Sequence, residues 1–387
     1  MPPLEWYEYK ERPLEYRVIS TDNHINEAPD TWTKRLSAKY IDRAPKIMPV
    51  GDGGDGWSFD GQPPKESFGL NAVANIPYED FKVSGLTFDE IMPGNYDGEA
   101  HIQDMAQDGV DAAVIYPMAA LNAYTQDDPE YRLALIRAYN DWLMDEFCGV
   151  DPKRLIGLPL MPVDDDLGTL LAELDRMLEK NAKGVFLPFY TVRPYYDPYY
   201  DPFWKILSEN GVAASIHRSM GGKPPATGAI PLPQAEAGLN VAGIVERFFT
   251  AVTPFTRLVY TGVFERFPEL KFVDAEVNVG WLPFWLQMME EEYERQRHWA
   301  KLPLSTSPRH FVGKNLFVTV LADYVGCAAV KTDPDIAKAA MYSTDYPHSA
   351  TLYPESRRYI AELTEGMDDA TKYDLLAGNA VRVFNLN

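Results

Sequence analysis

Three of the six histidines lie where predicted β-strands end, and aspartates accompany two of them. His24 follows Asp22, His217 ends its own apolar run, and His348 follows Asp345. Imidazole and carboxylate are the side chains that ligate a divalent metal such as Zn²⁺ or Mn²⁺. An α/β barrel exposes its chemistry at the carboxyl ends of its strands. Three such ends, spread along the chain, therefore predict one converging site.

Short apolar runs alternate with segments of helical periodicity along most of the chain. The predicted strands are Val18–Asp22, Ala112–Tyr116, Leu155–Leu160, Gly184–Phe189, Val212–His217, Lys271–Glu276, Leu316–Val320 and Ala340–Asp345. Helical spacing predicts helices over Tyr131–Phe147 and Leu167–Asn181. Near-continuous apolar strands between helices indicate parallel strands, and eight of them favour an α/β fold of the (β/α)8 TIM-barrel type. A doubly wound open sheet is the rival, but no Gly-rich phosphate loop follows the first strand.

One domain is predicted for the whole chain, 1–387, with an insertion after strand one at about 44–95. The insertion is rich in Gly, Pro and Asp, so we expect a small β-excursion or a lid over the barrel mouth. Ser219–Leu239 is a second irregular stretch. The two stretches either frame a substrate entrance or are solvated surface loops. The tyrosines of Pro188–Tyr200 either form a wall for an aromatic substrate or pack within their own loop.

Composition limits the class of protein and of partner. With 387 residues and 46% hydrophobic content, the chain can bury a large core. A formal net charge of −21 argues against nucleic acid or an anionic membrane surface as partner. No apolar stretch is long enough to span a membrane, and residues 1–17 lack the apolar region of a secretory signal. Cys148 and Cys327 cannot form a disulfide framework, so we expect a cytoplasmic protein.

Strand geometry suggests which side chains would hold a metal ion. On an extended strand, residues two apart point to the same face, so Asp22 and His24 can face one ion. His217 ends strand five and Asp345 ends strand eight, and in a barrel these strand ends surround the same axial cavity. Any one of these side chains alone is more simply a core residue. Their joint occurrence predicts a centre with one ion and four ligands.

Three further polar residues near these strand ends have open roles. Glu27 is either another ligand or, as we favour, a carboxylate ahead of a helix that Asp30 caps. Glu276 is either a general acid or base, or the salt-bridge partner of a ligand. For His348, a hydrogen bond to a ligand or to substrate is favoured over direct ligation. No chemistry is assigned to His101, His298 and His310.

Four segments carry a family resemblance: Ser20–His24, Ile216–His217, Thr261–Lys271 and Ser343–His348. Through them the chain resembles the amidohydrolase superfamily, in the branch of aminocarboxymuconate-semialdehyde decarboxylase and the resorcylate and carboxyvanillate decarboxylases. The resemblance covers most of Val18–Asn385 outside the insertion. The third segment, a helix that leads through Phe-Pro-x-Leu into strand six, is distinctive for this branch.

This resemblance implies a (β/α)8 barrel with one divalent cation, usually Zn²⁺ or Mn²⁺, and frequent homodimers. Many members have His-x-His on strand one and some decarboxylases have Glu-x-His, whereas this chain has Asp22-x-His24, with Asn26 in place of a second histidine. The resemblance thus implies as ligands Asp22, His24, His217 and Asp345. Where the branch often has a catalytic histidine before glycine at the end of strand six, this chain has Glu276 before Val277. No lysine is evident on strand four for the carbamate of a two-metal hydrolase.

We therefore predict a metal-dependent enzyme acting on a small cyclic or aromatic molecule with a carboxylate or carbonyl group. The leading interpretation is a hydrolase in which metal-activated water attacks, Asp345 accepts its proton, Glu276 relays protons and His217 supports catalysis as a ligand. The alternative is a non-oxidative decarboxylase of an aromatic acid, with Asp345 protonating the ring carbon. Arg218 and Arg193 are predicted to hold a substrate carboxylate, with a surface ion pair as the alternative for each. A non-enzymatic metal-binding barrel is disfavoured, because structural zinc sites are usually closed by Cys or His.

Overall fold

Eight parallel strands surround a central axis in the computed structural model, which describes residues 14–224 and 236–386. The strands within these ranges are β1 (Ile19–His24), β2 (Lys46–Pro49), β3 (Asp55–Ser58), β4 (Ala112–Tyr116), β5 (Leu155–Gly157), β6 (Gly184–Phe186), β7 (Ala213–His217), β8 (Phe272–Ala275), β9 (Leu316–Val320) and β10 (Ala340–Tyr342). β2 and β3 form a separate antiparallel hairpin. The other eight strands correspond to the eight predicted from the sequence.

The register of these eight strands shows how they close into a ring. β1, β4 and β5 pair in parallel in that order, and so do β6 to β10. The two groups meet where the Phe186 N–H donates to the Pro159 carbonyl at 2.8 Å. On the opposite side, just beyond β10, the Asp345 N–H donates to the Asp22 carbonyl at 2.9 Å. The predicted (β/α)8 barrel is confirmed.

Helices lie between most of the barrel strands. They are α1 (Gly98–Asp108), α2 (Pro129–Trp142), α3 (Leu167–Glu179), α4 (Asp201–Asn210), α5 (Glu236–Glu246), α6 (Val252–Tyr260), α7 (Val263–Arg266), α8 (Leu282–Ala300), α9 (Tyr324–Val330), α10 (Pro334–Ala339), α11 (Ser356–Leu363), α12 (Asp369–Tyr373) and α13 (Asn379–Val383). In α3 the Asp166 side chain caps the first turn, while Leu170 and Leu174, one turn apart, are fully buried. The helix predicted over Tyr131–Phe147 is α2 followed by a π-helical turn, Leu143–Phe147.

Between β1 and α1 the chain makes a long excursion beside the barrel mouth. The hairpin of β2 and β3 lies within it, in agreement with the small β-excursion expected there. Gly56 permits a close approach of two chain segments, because a Cβ there would lie 2.1 Å from the Glu66 carbonyl oxygen. The excursion is tied to the turn after β10, where the Ala74 N–H donates to the Pro347 carbonyl at 3.1 Å. Its treatment as an insertion into a single domain stays a prediction.

Two expectations from the sequence concern residues beyond the described ranges. Residues 1–13 belong to the stretch used to predict the localisation. Residues 225–235 belong to Ser219–Leu239, for which the sequence leaves open an entrance frame or a solvated surface loop. Both ranges lie outside the described residues. Among the helices that are described, none combines the length and the apolar composition that crossing a membrane requires.

Candidate metal centre

The ends of β1 and β7 and the turn after β10 bring four fully buried side chains together: Asp22, His24, His217 and Asp345. The Nε2 atoms of the two histidines lie 2.9 Å apart. Asp22 Oδ1 lies 3.2 Å from each of these nitrogens, and Asp345 Oδ1 lies 3.6 Å from that of His24. The structure thus places the four predicted ligands around one point. Their role as ligands stays a prediction.

The donor atoms of this cluster fit a divalent cation. Neither oxygen of Asp22 or of Asp345 accepts a hydrogen bond of good geometry from the described part of the chain. An unsatisfied buried polar group costs about 1–3 kcal/mol, and a charged one costs more. The two imidazole nitrogens, 2.9 Å apart, have room for at most one proton between them. A cation held by the carboxylate oxygens and imidazole nitrogens would satisfy these atoms together.

Electrostatics keep two of these side chains in the form that binds metal. Burial alone would raise the pKa of the Asp22 carboxyl, but the nearby imidazoles of His217 and His24 outweigh it and hold that pKa well below its ordinary value. For His24, burial and the neighbouring charge of His348 lower the imidazole pKa to about 4. At neutral pH Asp22 is therefore a carboxylate and His24 a neutral imidazole, as metal ligation requires.

The backbone at the strand ends departs from regular β geometry. In β1 the pairing with β4 shifts between Ser20 and Asn23, a bulge that re-aims the side chains of this segment. Arg218, Glu276 and Asp345 have positive φ angles of 44°, 57° and 53°. This left-handed conformation costs a residue with a Cβ about 1–2 kcal/mol. Such strain persists only where the surrounding contacts hold it, and it concentrates at functional sites.

Glu276 directly follows β8 and lies beside the cluster, where it forms an ion pair with Arg218. Its carboxylate faces the same region as those of Asp22 and Asp345, because one oxygen from each of the three lies within 4.8 Å of the others. Glu276 Oε2 also lies 3.6 Å from Nε2 of His217. Glu276 therefore connects His217, a predicted ligand, to the buried guanidinium of Arg218. These contacts do not test the proton-relay role predicted for Glu276.

Arg218 places a positive charge next to the carboxylates. It is only 4% exposed, and its Nε donates to the Glu276 carbonyl at 2.8 Å. Burial lowers the pKa of the guanidinium to about 10, although the charges of Asp345 and Asp22 act in the opposite direction. The side chain thus stays protonated at neutral pH. Its contact with a substrate carboxylate stays a prediction, since Glu276 is its partner here.

His348 and Arg193, also predicted to touch substrate, lie in different surroundings. The His348 ring stacks on His24 with 3.8 Å between centroids, and its Nδ1 lies 2.9 Å from Asp345 Oδ1. Its buried Nε2 has no hydrogen-bond partner within the described ranges. Arg193, by contrast, has a side chain that is 53% exposed and lies 3.5 Å from Asp197. The structure does not bring Arg193 to the cluster; its contact is the surface ion pair that the sequence left as the alternative.

Glu27 does not precede a helix, so the prediction of a helix capped by Asp30 is wrong. Residues 29–35 form turns instead. The Glu27 side chain points inward and accepts hydrogen bonds from the backbone N–H groups of residues 118–120 at 2.9–3.2 Å. These groups begin the 3-10 helix Ala119–Thr125, so Glu27 anchors the chain after β1 to the loop after β4.

Glu27 should make the stability of the protein depend on pH. Burial raises its pKa from the ordinary value of 4.5 to about 7, against the opposing effect of the backbone hydrogen bonds. A carboxyl group with a higher pKa in the folded state contributes most stability below pH 4.5, and this contribution falls as the pH rises to about 7. Relative to Glu27→Gln, the wild-type free energy of unfolding should therefore drop by up to about 3 kcal/mol over this range. Urea unfolding of both metal-free proteins measures it, and a difference that is constant with pH would contradict the assignment.

The structure adds three residues to the site that the sequence left without a role: Asn23, His101 and Tyr116. The Tyr116 ring, at the end of β4, lies 5.2 Å from the His217 ring and 5.8 Å from the His24 ring, so it packs against both imidazoles. Its position at a predicted strand end was a usable signal. His101 gave none, because it lies within helix α1 and meets the site through a hydrogen bond with Asn23 and a ring contact with Tyr346.

Two cavities open near the strand ends. One, of about 400 Å³, is lined by aromatic side chains of the Pro188–Tyr200 loop but by none of the predicted ligands. In the same loop, Tyr200 is fully buried and donates to the Val163 carbonyl at 3.1 Å, so part of the loop simply packs. The other cavity, of about 330 Å³, lies between the β2–β3 excursion and the loops after β1 and β4. It includes Asn26, two residues beyond His24 in the sequence, but none of the predicted ligands.

Comparison with known proteins gives both sequence and structural relatives. A sequence profile of a family described as amidohydrolase matches residues 92–386. A decarboxylase of Emericella nidulans, orsB, is 25% identical over 281 residues, which cover 69% of this chain and 81% of the relative.

The solved structures similar to this chain share its fold. An amidohydrolase from Mycobacterium avium subsp. paratuberculosis has 20% identity and a TM-score of 0.73, covering 96% of this chain and 100% of the other. A 5-carboxyvanillate decarboxylase from Novosphingobium aromaticivorans, solved with manganese and a nitrobenzoic acid, has 21% identity and a TM-score of 0.64, with 96% and 97% covered. A 2,6-dihydroxybenzoate decarboxylase from Rhizobium has 16% identity and a TM-score of 0.60, with 96% and 99% covered.

These comparisons bear on the two reactions weighed from the sequence. The relatives named for a specific reaction are decarboxylases, which favours the alternative of decarboxylation over the leading interpretation of hydrolysis. The profile match extends over most of the chain and includes the segments from Thr261 and Ser343 that carry the resemblance. That resemblance is confirmed, and the chain belongs to the amidohydrolase family.

Proposed function

We propose that this protein is a metal-dependent, non-oxidative decarboxylase of a small aromatic acid. The proposal is carried by one observation: Asp345, whose oxygens accept no well-directed hydrogen bond from the described residues, meets Asp22 and two imidazoles in a fully buried cluster. The decarboxylases among the relatives support the choice of reaction. Hydrolysis has no such support.

The proposed cofactor is one divalent metal ion held by Asp22, His24, His217 and Asp345. Manganese is favoured over zinc because the cluster is rich in carboxylate oxygens, with Glu276 as a third carboxylate beside those of the two aspartates. Manganese is also the ion bound in the Novosphingobium enzyme. When bound, such an ion would offset the negative charge of the oxygen groups of the substrate.

Asp345 is the proposed proton donor to the ring. Decarboxylation breaks the bond between the ring carbon and the carboxyl carbon, and the electron pair left on the ring carbon takes a proton as CO₂ leaves. The Asp345 carboxyl delivers this proton, and His348, with Nδ1 2.9 Å from Asp345 Oδ1, restores it. The His348 side chain is 13% exposed whereas that of Asp345 is fully buried, which favours His348 as the side chain that passes protons to Asp345.

In this proposal Arg218 and Glu276 orient the substrate and balance charge in the site. Arg218 remains a cation at neutral pH, and a guanidinium matches the geometry of a carboxylate group. Glu276 fixes the position of Arg218 by their ion pair and lies 3.6 Å from His217. We assign Arg218 to the substrate carboxylate and Glu276 to proton relay and to holding Arg218 in place.

A substrate panel tests the proposal directly. The metal-free protein is loaded with Mn²⁺ and incubated with hydroxybenzoic acids that carry the hydroxyl next to the carboxylate or opposite it, and CO₂ release is measured. We expect release only from acids with the neighbouring hydroxyl, since only these could offer a phenol oxygen together with a carboxylate oxygen to one ion. Lactones, esters and amides form the comparison set. Hydrolysis of any of these without CO₂ release from the acids would replace the proposal with a hydrolase.

The remaining predictions concern partners and location. We propose a cytoplasmic homodimer that acts on a small molecule and has neither nucleic acid nor a membrane as partner. The net charge of −21 supports the absence of anionic partners, and the family resemblance supports the dimer. Light scattering of the purified protein would distinguish one chain from two.

A further inference from the structure

We infer that His101 and Asn23 are positioning residues for the metal centre, because they tie together the chain segments that carry Asp22, His24 and Asp345. The inference rests on the metal centre of the proposed function, but not on the identity of the reaction. Neither residue belongs to the predicted ligand set, and both are buried, His101 fully and Asn23 to 2% exposure.

The direction of each hydrogen bond around His101 follows from its partners. His101 Nδ1 lies 2.8 Å from the Gly94 carbonyl oxygen, which can only accept, so the proton is on Nδ1. The other ring nitrogen, Nε2, then accepts from Nδ2 of Asn23 at 3.0 Å. Burial lowers the pKa of His101 to about 4, in keeping with this neutral form. Both ring nitrogens are thus satisfied, and Asn23 can have only one orientation.

That orientation turns the Asn23 carbonyl oxygen toward two hydroxyl groups. Asn23 Oδ1 accepts from the Ser20 hydroxyl at 2.5 Å and from the Thr344 hydroxyl at 2.8 Å. The Thr344 N–H in turn donates to the Ser20 oxygen at 2.9 Å. One carboxamide therefore joins three elements: helix α1, strand β1 and the turn after β10.

The joined residues are chain neighbours of the predicted ligands. Asn23 lies between Asp22 and His24, and Thr344 precedes Asp345, whose φ of 53° must be held by its surroundings. The contact between β1 and the turn after β10, called the seam below, also contains the hydrogen bond from the Asp345 N–H to the Asp22 carbonyl. A displaced Asn23 side chain would therefore shift ligands on both sides of the seam relative to one another.

Two substitutions at His101 separate this role from simple packing. In His101→Gln the amide oxygen reaches the place of Nε2 and can still accept from Asn23. In His101→Asn the amide reaches only the place of Nδ1, so the bond to Gly94 can survive while Asn23 loses its acceptor. We expect Mn²⁺ affinity to fall about 10-fold in His101→Asn, the lower end of the loss found when a hydrogen-bond partner of a ligand is removed, because His101 acts through Asn23. In His101→Gln it should stay close to that of wild type.

Calorimetric titration of the metal-free proteins with Mn²⁺ measures the affinities. Thermal unfolding of the same metal-free samples measures their stability. A merely structural role predicts parallel losses of unfolding temperature and no difference in Mn²⁺ affinity between the two variants; that result overturns the inference. If His101→Asn fails to fold, Thr344→Val removes the hydroxyl donor with little change of shape and should weaken Mn²⁺ in the same way. His310→Asn, on the exposed face of the 3-10 helix Pro308–Phe311, is the matched control and should change nothing.

The outcomes also separate this inference from the proposed function. A wild-type protein that binds no Mn²⁺ overturns both. If the two His101 variants differ in Mn²⁺ affinity as expected but no acid releases CO₂, the positioning role of His101 stands. Only the proposal of a decarboxylase is then contradicted.

Discussion

Asp345→Asn should lower the turnover number for CO₂ release by about 10²–10⁴-fold, the usual contribution of a positioned acid or base. The substitution keeps the size of the side chain and one oxygen that can meet the ion. It removes the group that delivers a proton to the ring carbon. The φ of 53° at this position is well tolerated by asparagine, so the backbone should remain in place. Turnover is measured at saturating Mn²⁺, so that weaker metal binding does not enter the comparison.

Asp369→Asn is the matched control for this variant. Asp369 is exposed at the start of α12, and the same chemical change there should leave turnover unaltered. If Asp345→Asn keeps more than a tenth of the wild-type turnover, Asp345 is not the proton donor, and His348 is the next candidate because its Nδ1 lies 2.9 Å from Asp345 Oδ1.

His217→Ala should remove the metal and, with it, turnover. The His217 Nε2 atom lies 2.9 Å from that of His24 and 3.2 Å from Asp22 Oδ1, so its loss opens one side of the cluster. We expect Mn²⁺ affinity to fall by more than about 100-fold, since the loss of a partner outside the ligand set alone costs about 10- to 100-fold. Elemental analysis after dialysis should give about one metal ion per wild-type chain and almost none in the variant.

His298→Ala provides the control, because His298 is an exposed residue of α8. It should retain both metal and turnover. Thermal unfolding of His217→Ala should remain cooperative, since the barrel core around β7 is built mainly from apolar side chains such as Ile216. A His217→Ala protein with a full complement of metal would show that His217 is not a ligand.

The fold and the ligand cluster were predictable from the sequence for the same reason. Parallel strands buried on both faces must be nearly all apolar, so a polar residue at the end of such a run is conspicuous. His217 stands out in this way, whereas Asp22, His24 and Asp345 follow Ser-Thr pairs and stand out because their side chains are of types that ligate metal. The barrel then forces the strand ends together, which is why four residues distant in sequence could be expected around one point.

Contacts made by side chains between elements were not predictable. Nothing in the local pattern shows that Glu27 turns inward to the loop after β4, or that His101 of α1 meets Asn23. Arg193 and Arg218 looked equivalent as candidates, yet one lies at the surface and the other is buried beside Glu276. Such outcomes depend on how loops pack, and hydrophobic periodicity carries no information about that.

The hydrogen bonds between β1 and the turn after β10, which close the barrel, bear on when the ligand cluster can form during synthesis of the chain. The ligand cluster lies where the first and last barrel strands adjoin, so it cannot assemble until nearly the whole chain has been synthesised. An ion bound there stabilises only the closed barrel. Its contribution to the free energy of unfolding grows with the logarithm of the free metal concentration. Chains cut short before Asp345 should therefore lose both these hydrogen bonds and the ion, whereas complete chains deprived of metal should lose only the contribution of the ion.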